Sequence, residues 1–130
     1  MRAAATDGRT PAAPDGYATV TPRLVARHAS VVVAFLQAVF GATGGLDPGR
    51  PAEMRIGDSL VLVSEAGDRD PFPAFLYVYV DDADAVHRRA LAAGATELEP
   101  PRDTPYGDRR GMVRDGDGNV FQIAQHIVGG

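Results

Sequence analysis

The chain has 130 residues, 45% hydrophobic and 23% charged, with a formal net charge of −4 and a pI near 5.2. That is enough for one domain with a buried core, and it offers no bulk attraction to nucleic acid or an acidic membrane surface. Cysteine is absent and all 13 basic residues are arginine, which excludes disulfides, thiolate chemistry and a lysine Schiff base.

No apolar run approaches the roughly 20 residues that cross a bilayer. Residues 1–16 lack the apolar segment of a secretion signal, so a cytoplasmic protein is expected. They are rich in Ala, Gly, Pro and Asp without apolar periodicity, which predicts a mobile tail ahead of a single domain over 17–130. Residues 17–27 alternate as a strand. Leu24 and Ala26 then face a core while Thr21, Arg23 and Val25 face away, because burying Arg23 against a helix would be costly. Pro22 has no ladder donor, so this strand belongs near a sheet edge or carries an irregularity.

Ser30 is a suitable helix cap, and 31–40 follows as an apolar helix ending at Gly41. Val32, Phe35, Leu36, Val39 and Phe40 form its buried face. The run Val31, Val32, Val33 is a poor helix former, so packing must stabilise it. Residues 43–51 read as a loop with at most a stunted strand around Leu46. Strands over 53–56 and 59–64 make a hairpin across Gly57 and Asp58. The charged stretch 65–73, interrupted by Pro71 and Pro73, links two halves.

The second half opens with a strand over 75–80, FLYVYV. Asp81 and Asp82 offer a cap to an amphipathic helix over 83–93, with Ala83, Val86, Ala90 and Ala93 on one side and Gly94 at its end. A short strand over 96–99 and a Pro-rich, charged loop over 100–108 precede a closing hairpin, 110–114 and 119–126. Its turn, DGDGN at 115–119, sets glycines among short acceptor side chains and so tolerates the positive φ of a tight reversal. In the last strand Phe121 and Ile123 take one face, and Val120, Gln122 and Ala124 take the other.

Each half thus reads strand, helix, three strands. Matching ends reinforce the repeat: Phe40-Gly41-Ala42-Thr43 follows the first helix and Ala93-Gly94-Ala95-Thr96 the second. Duplication predicts an α+β fold of two βαβββ modules (17–64 and 74–127) whose sheets curve around a shared cleft. In these features the chain resembles the vicinal oxygen chelate superfamily of glyoxalases, extradiol dioxygenases, fosfomycin-resistance enzymes and bleomycin-resistance proteins. The likeness covers about 17–127. It is carried by Phe40-Gly41-Ala42, by Val80-Asp81-Asp82-Ala83-Asp84-Ala85, and by Tyr106-Gly107-Asp108-Arg109 followed by Asp117-Gly118-Asn119. Within that superfamily the chain is most similar to the metal-free, bleomycin-resistance-like binding proteins, with a thiocoraline-type antibiotic self-resistance member as one specific expectation. One scaffold hosts several chemistries, so function must be read from the site.

The superfamily's enzymes hold a metal with ligands on four strands. The resemblance implies matching positions here at Thr21 or Pro22, near Val61, at Phe75 and at Gln122. None offers an imidazole or carboxylate, so no metal, cofactor or catalytic residue is expected. His28, His87 and His126 read as solvated or capping residues. Asp81, Asp82 and Asp84 suit a helix N-terminus, and 115–119 lacks the spacing and downstream glutamate of a calcium loop.

Strand alternation sets Phe75, Tyr77 and Tyr79 toward the cleft and Leu76, Val78 and Val80 toward the helix. The rings either fill a dimer interface or form a platform for planar ligands. Tyr106 can close over that platform. Arg23, Arg110 and Gln122 supply directional donors, Met112 a soft surface, and Val61 completes the expected ligand-binding set. Together with the resemblance, this implies a non-enzymatic protein that sequesters an aromatic small molecule or peptide antibiotic in a cleft shared by a homodimer. The competing expectations are a divergent glyoxalase- or dioxygenase-like enzyme with a displaced metal, and a dimerisation module with no small ligand.

Overall fold

Two sheets and two helices repeat one plan. The computed structural model describes residues 12–127, so most of the expected tail (1–11) and the last three residues lie outside the described range. The elements are β1 (Arg23–Ala26), α1 (Ala29–Phe40), β2 (Ala52–Ile56), β3 (Ser59–Glu65), β4 (Phe75–Tyr79), α2 (Ala83–Ala92), β5 (Thr96–Asp103), β6 (Asp108–Arg114) and β7 (Val120–His126). They form a three-stranded sheet, β1-β3-β2, and a four-stranded sheet, β4-β7-β6-β5. In each module the opening strand runs parallel to the closing strand, Arg23 opposite Leu62 in the first and Tyr77 opposite Gln122 in the second. The α+β duplication read from the sequence is therefore present. In the first module the expected stunted strand around Leu46 reduces to isolated bridges, Thr43 with Arg55 and Asp47 with Arg50.

The helix-facing phases agree with the sequence pattern. Leu24 and Ala26 are buried while Arg23 is exposed, and β1 is an edge strand, where Pro22 needs no ladder partner for a missing N–H. Val32, Leu36 and Val39 of α1 share one core with Met54, Val63, Val113, Phe121 and Ile123. Phe121 of the second module stacks 5.5 Å from both Phe35 and Phe40 of the first. Arg89 of α2 donates to the Val39 carbonyl at 3.0 and 2.7 Å, which satisfies an acceptor near the end of α1. Helix packing thus joins the modules and leaves the far face of each sheet open.

Several local expectations need correction. Ser30 does not cap α1. The N-cap is His28, which makes no side-chain cap bond. Instead Glu65 Oε1 accepts from Ala29 N at 2.7 Å, and Asp117 Oδ1 accepts from the Arg27 and His28 amides at 2.9 and 3.3 Å. Tertiary neighbours meet donors that a local cap would have met. β5 runs on through Pro100 and Pro101 to Asp103, with register shifts on either side of Glu99, because an edge strand tolerates both. His87 is buried, not solvated; its Nε2 lies 2.8 Å from Glu97 Oε2 and its ring fills the space a side chain at Gly111 would need. At the end of the expected tail, Arg55 donates to the Gly16 carbonyl at 3.1 Å and the Tyr17 hydroxyl bonds Glu53.

Candidate functional site

The closing hairpin builds the site. Asp115 Oδ1 accepts from the Asp117 and Asn119 amides at 2.9 Å each, and Asp115 Oδ2 from Asn119 Nδ2 at 2.9 Å. Asn119 Oδ1 in turn accepts from Ala74 N at 2.9 Å, which ties the turn to the residue before β4. Gly118 supplies the positive φ of 91°. This turn holds β7 between β4 and β6 and sets which side chains reach the open face of the four-stranded sheet.

Phe75, Tyr77 and Tyr79 of β4 lie on that face beside Gln122, Ala124 and His126 of β7 and Asp108, Arg110 and Met112 of β6, by the alternation and register of the strands. Phe75 is 66% exposed, Tyr79 61% and Tyr106 58%, so their rings are free to meet a ligand. Beneath them Asp108 is 2% exposed. Its Oδ2 accepts from the Tyr77 hydroxyl at 2.6 Å and the Tyr79 hydroxyl at 2.8 Å, and its Oδ1 lies 3.1 Å from His126 Nδ1. The Tyr77 hydroxyl, then those of Tyr79 and the His126 ring, hold the Asp108 carboxyl below the usual carboxylate range despite burial. Burial and the Asp108 bond push Tyr77 well up, and the same carboxylate raises Tyr79.

Arg110 crosses the floor of the site. Its Nη2 meets Glu99 Oε1 at 2.6 Å and its Nη1 donates to the Tyr106 hydroxyl at 3.4 Å, while Nε has no hydrogen-bond partner among the described residues. Tyr106 is lowered from the ordinary tyrosine value, first through the Tyr77 hydroxyl beside it and also by the Arg110 charge. Thr104, bonded through its side chain to the Asp108 amide at 3.0 Å, pins the loop that carries Tyr106.

Of the residues singled out in the sequence, Phe75, Tyr77, Tyr79, Tyr106, Arg110, Met112 and Gln122 thus come together on one face. Arg23 lies on the other sheet, where its Nε donates to Ser64 Oγ at 3.1 Å. Val61 points into the core with Val63; its neighbour Leu62 takes the open face opposite Arg23. A one-residue shift along a strand reverses the face, and this decides against Val61 as part of the aromatic surface. Asp108, Glu99 and His126 join this group through their bonds to Tyr77, Tyr79 and Arg110. Counting by twos from Arg110 and Gln122 reaches Asp108 and His126; Glu99 sits between two register shifts and has no such signal.

A second cleft, of about 740 Å³, opens on the helix side between β4, α2 and the β2–β3 turn. Its walls are mainly apolar, from Phe40, Ile56, Val61, Leu76 and Val78, and Tyr77, Tyr79 and Arg89 also line it. Because β4 is an edge strand, it borders both this cleft and the open aromatic face.

Residues 23–123 match the Glyoxalase/Bleomycin resistance protein/Dioxygenase superfamily, and the chain belongs to it. TioX from Micromonospora sp. ML1 is a similar solved structure, with a TM-score of 0.71 and 28% identity over 83% of this chain and 98% of that one. A glyoxalase/bleomycin resistance protein/dioxygenase family enzyme from Burkholderia phytofirmans superposes with a TM-score of 0.70 at 22% identity, covering 81% of this chain and 95% of the other, a likeness of fold. An uncharacterized protein of Mycobacterium bovis is 38% identical over 55 residues, 42% of this chain and 36% of that protein. The match therefore spans about a third of that relative's length.

The metal used by the superfamily's enzymes does not fit the groups present. Gln122 faces Tyr77 across the register, not Phe75, and the repeat relates that pair to Leu62 and Arg23. An amide, a phenol tied to a carboxylate, an isobutyl group and a guanidinium do not make a divalent site. Among the described residues no three His, Cys, Asp or Glu side chains cluster to hold an ion. No helix among them is long and apolar enough to cross a membrane.

Proposed function

We propose that this is a metal-free binding protein that sequesters an aromatic small molecule or peptide antibiotic, in a cleft completed by a second copy of the chain. The observation that carries this reading is the exposed aromatic set Phe75, Tyr77, Tyr79 and Tyr106, gathered on one open sheet face over a polar floor. Exposed rings in such number mark a surface that meets something planar or apolar. Arg110 and Gln122 orient the bound group, and Met112 adapts to its outline. A thiocoraline-type peptide with flat heteroaromatic groups is the particular ligand class this reading favours, and self-protection without chemical conversion is the role.

Titration of the protein into a panel of such antibiotics, followed by ligand absorbance, tests the proposal. Stoichiometric binding is expected, and Tyr77→Ala should weaken it roughly three- to tenfold. No binding across the panel would sink it. The same rings favour a second reading, a dimerisation surface with no small ligand. Loss of the dimer in Tyr77→Ala/Tyr79→Ala, without any change in ligand binding, would select that reading instead.

A further inference from the structure

Asp108 does not face the solvent, yet it controls what the aromatic surface presents. Its carboxylate accepts both tyrosine protons on one oxygen, at 2.6 and 2.8 Å, and the His126 ring stands at 3.1 Å from the other. An ionised carboxylate accepts and never donates, so both phenol protons must point inward. What remains on the outer side of each hydroxyl is lone-pair density. Tyr79, 61% exposed, offers it most freely, since the Tyr77 oxygen also has the Tyr106 hydroxyl beside it.

We infer that Asp108 is a positioning residue that makes the Tyr77–Tyr79 surface an acceptor, so that the site selects planar aromatic ligands bearing N–H or O–H donors at the ring edge. The inference rests on the aromatic-binding reading above and names the ligand chemistry of that same site. An edge carrying only ring nitrogens or ethers meets two lone pairs, and its own acceptor goes unpaired as the rings close over it. Such a mismatch is where a polar site discriminates most, because each unpaired group loses its water without replacement. The two tyrosine rings, edge-on to one another with centroids 5.3 Å apart, hold the hydroxyls at a fixed separation and so set the position of the donor as well as its sign.

The chain contains no tryptophan, so an indole probe excited beyond the tyrosine band fluoresces against a weak protein background. The full chain is titrated with indole and with 1-methylindole, which differ by the single N–H, and Tyr79 ring resonances are followed in parallel by NMR. Indole should bind roughly three- to tenfold more tightly, the effect of one added hydrogen bond. Tyr79→Phe should abolish that preference by weakening indole alone. In Asp108→Asn the amide donates to one phenol oxygen and frees that phenol's proton to point outward, so the preference for indole should shrink and quinoxaline, an acceptor-only probe, should gain affinity. Equal binding of indole and 1-methylindole, with Tyr79 shifted by both, would overturn donor selection while leaving aromatic binding intact. An unchanged preference in Asp108→Asn would remove Asp108 from the role, and should that variant not fold, Tyr79→Phe still decides. If neither probe moves the Tyr79 resonances, the binding reading and this inference fall together.

Discussion

The two modules share their helix-facing half and differ on their open half. In both, a side chain at the end of the closing strand caps the helix that follows the opening strand. Glu65 Oε1 accepts from Ala29 N at 2.7 Å, and Gln125 Oε1 accepts from Ala83 N at 3.0 Å. These residues occupy the same place in the repeat, one opposite Ala26 and the other one step beyond the Tyr79–Ala124 pair. On the open side the correspondence ends. Arg23 and Leu62 stand where Tyr77 and Gln122 stand in the second module, and among the described residues only the second sheet has a fourth strand and a buried carboxylate beneath its rings. Packing and capping constrain one side of each sheet to a single solution, whereas the other side is under no such constraint.

That contrast can be broken most severely at the core. Phe121→Ala removes the ring that joins β7 to Phe35 and Phe40 and should destabilise the protein by about 3–5 kcal/mol. Val61→Ala, at the equivalent position of the first module, should cost only about 1.5 kcal/mol, the value of two buried methyl-sized groups. Denaturant unfolding of the two variants measures the difference. Similar losses would mean that the modules do not share one core.

The caps sharpen the comparison at a smaller scale. Glu65→Ala and Gln125→Ala should each cost about 1 kcal/mol, with Glu65 the larger because its charge also meets a helix N-terminus. Asp117→Ala should cost a similar amount even though Asp117 lies in the other module. Combining it with Glu65→Ala should give a non-additive loss, since both act on the start of α1. Simple additivity in thermal unfolding would separate the two caps.

The smallest effects are protonic and, among the tyrosines, confined to the open face of the second module apart from Tyr17. Of the four tyrosines, Tyr17, Tyr77 and Tyr79 are raised above 10.0 and Tyr106 is lowered. A raised folded value means that Tyr77 and Tyr79 contribute stability that is complete below pH 10, the unfolded range, and is lost as pH climbs through their folded values. Tyr106 has the opposite sign, with its contribution present above the unfolded range and lost as pH falls through its folded value. Ultraviolet titration should resolve one early phenol and three late ones, and Tyr106→Phe should delete the early step alone. An early step that persists in that variant would reassign it.

Much of this was legible in the chain, and the misses share a cause. Periodicity found the buried phase of β1, α1, β4 and β7 because burial repeats along the element that carries it. Local rules favour Ser30 as a cap, but Glu65 and Asp117 act from 36 and 90 residues away in the chain. Val61 follows from a family position without a register, and it lines the helix-side cleft while Leu62 takes the open face. Asp108 read as part of a charged loop, although in the structure it begins a strand and turns its carboxylate under two tyrosines.

The sequence by itself determined the duplicated α+β plan, the turn at 115–119 and the aromatic phase of β4, since each depends on spacing and local backbone preference. Only the tertiary structure decided which polar groups meet those rings. The pairings of Asp108 with Tyr77, Tyr79 and His126, and of Arg110 with Glu99, join residues on four different strands. Their mutual positions are set by register and bulges in the folded sheet, and no local pattern in the chain encodes them.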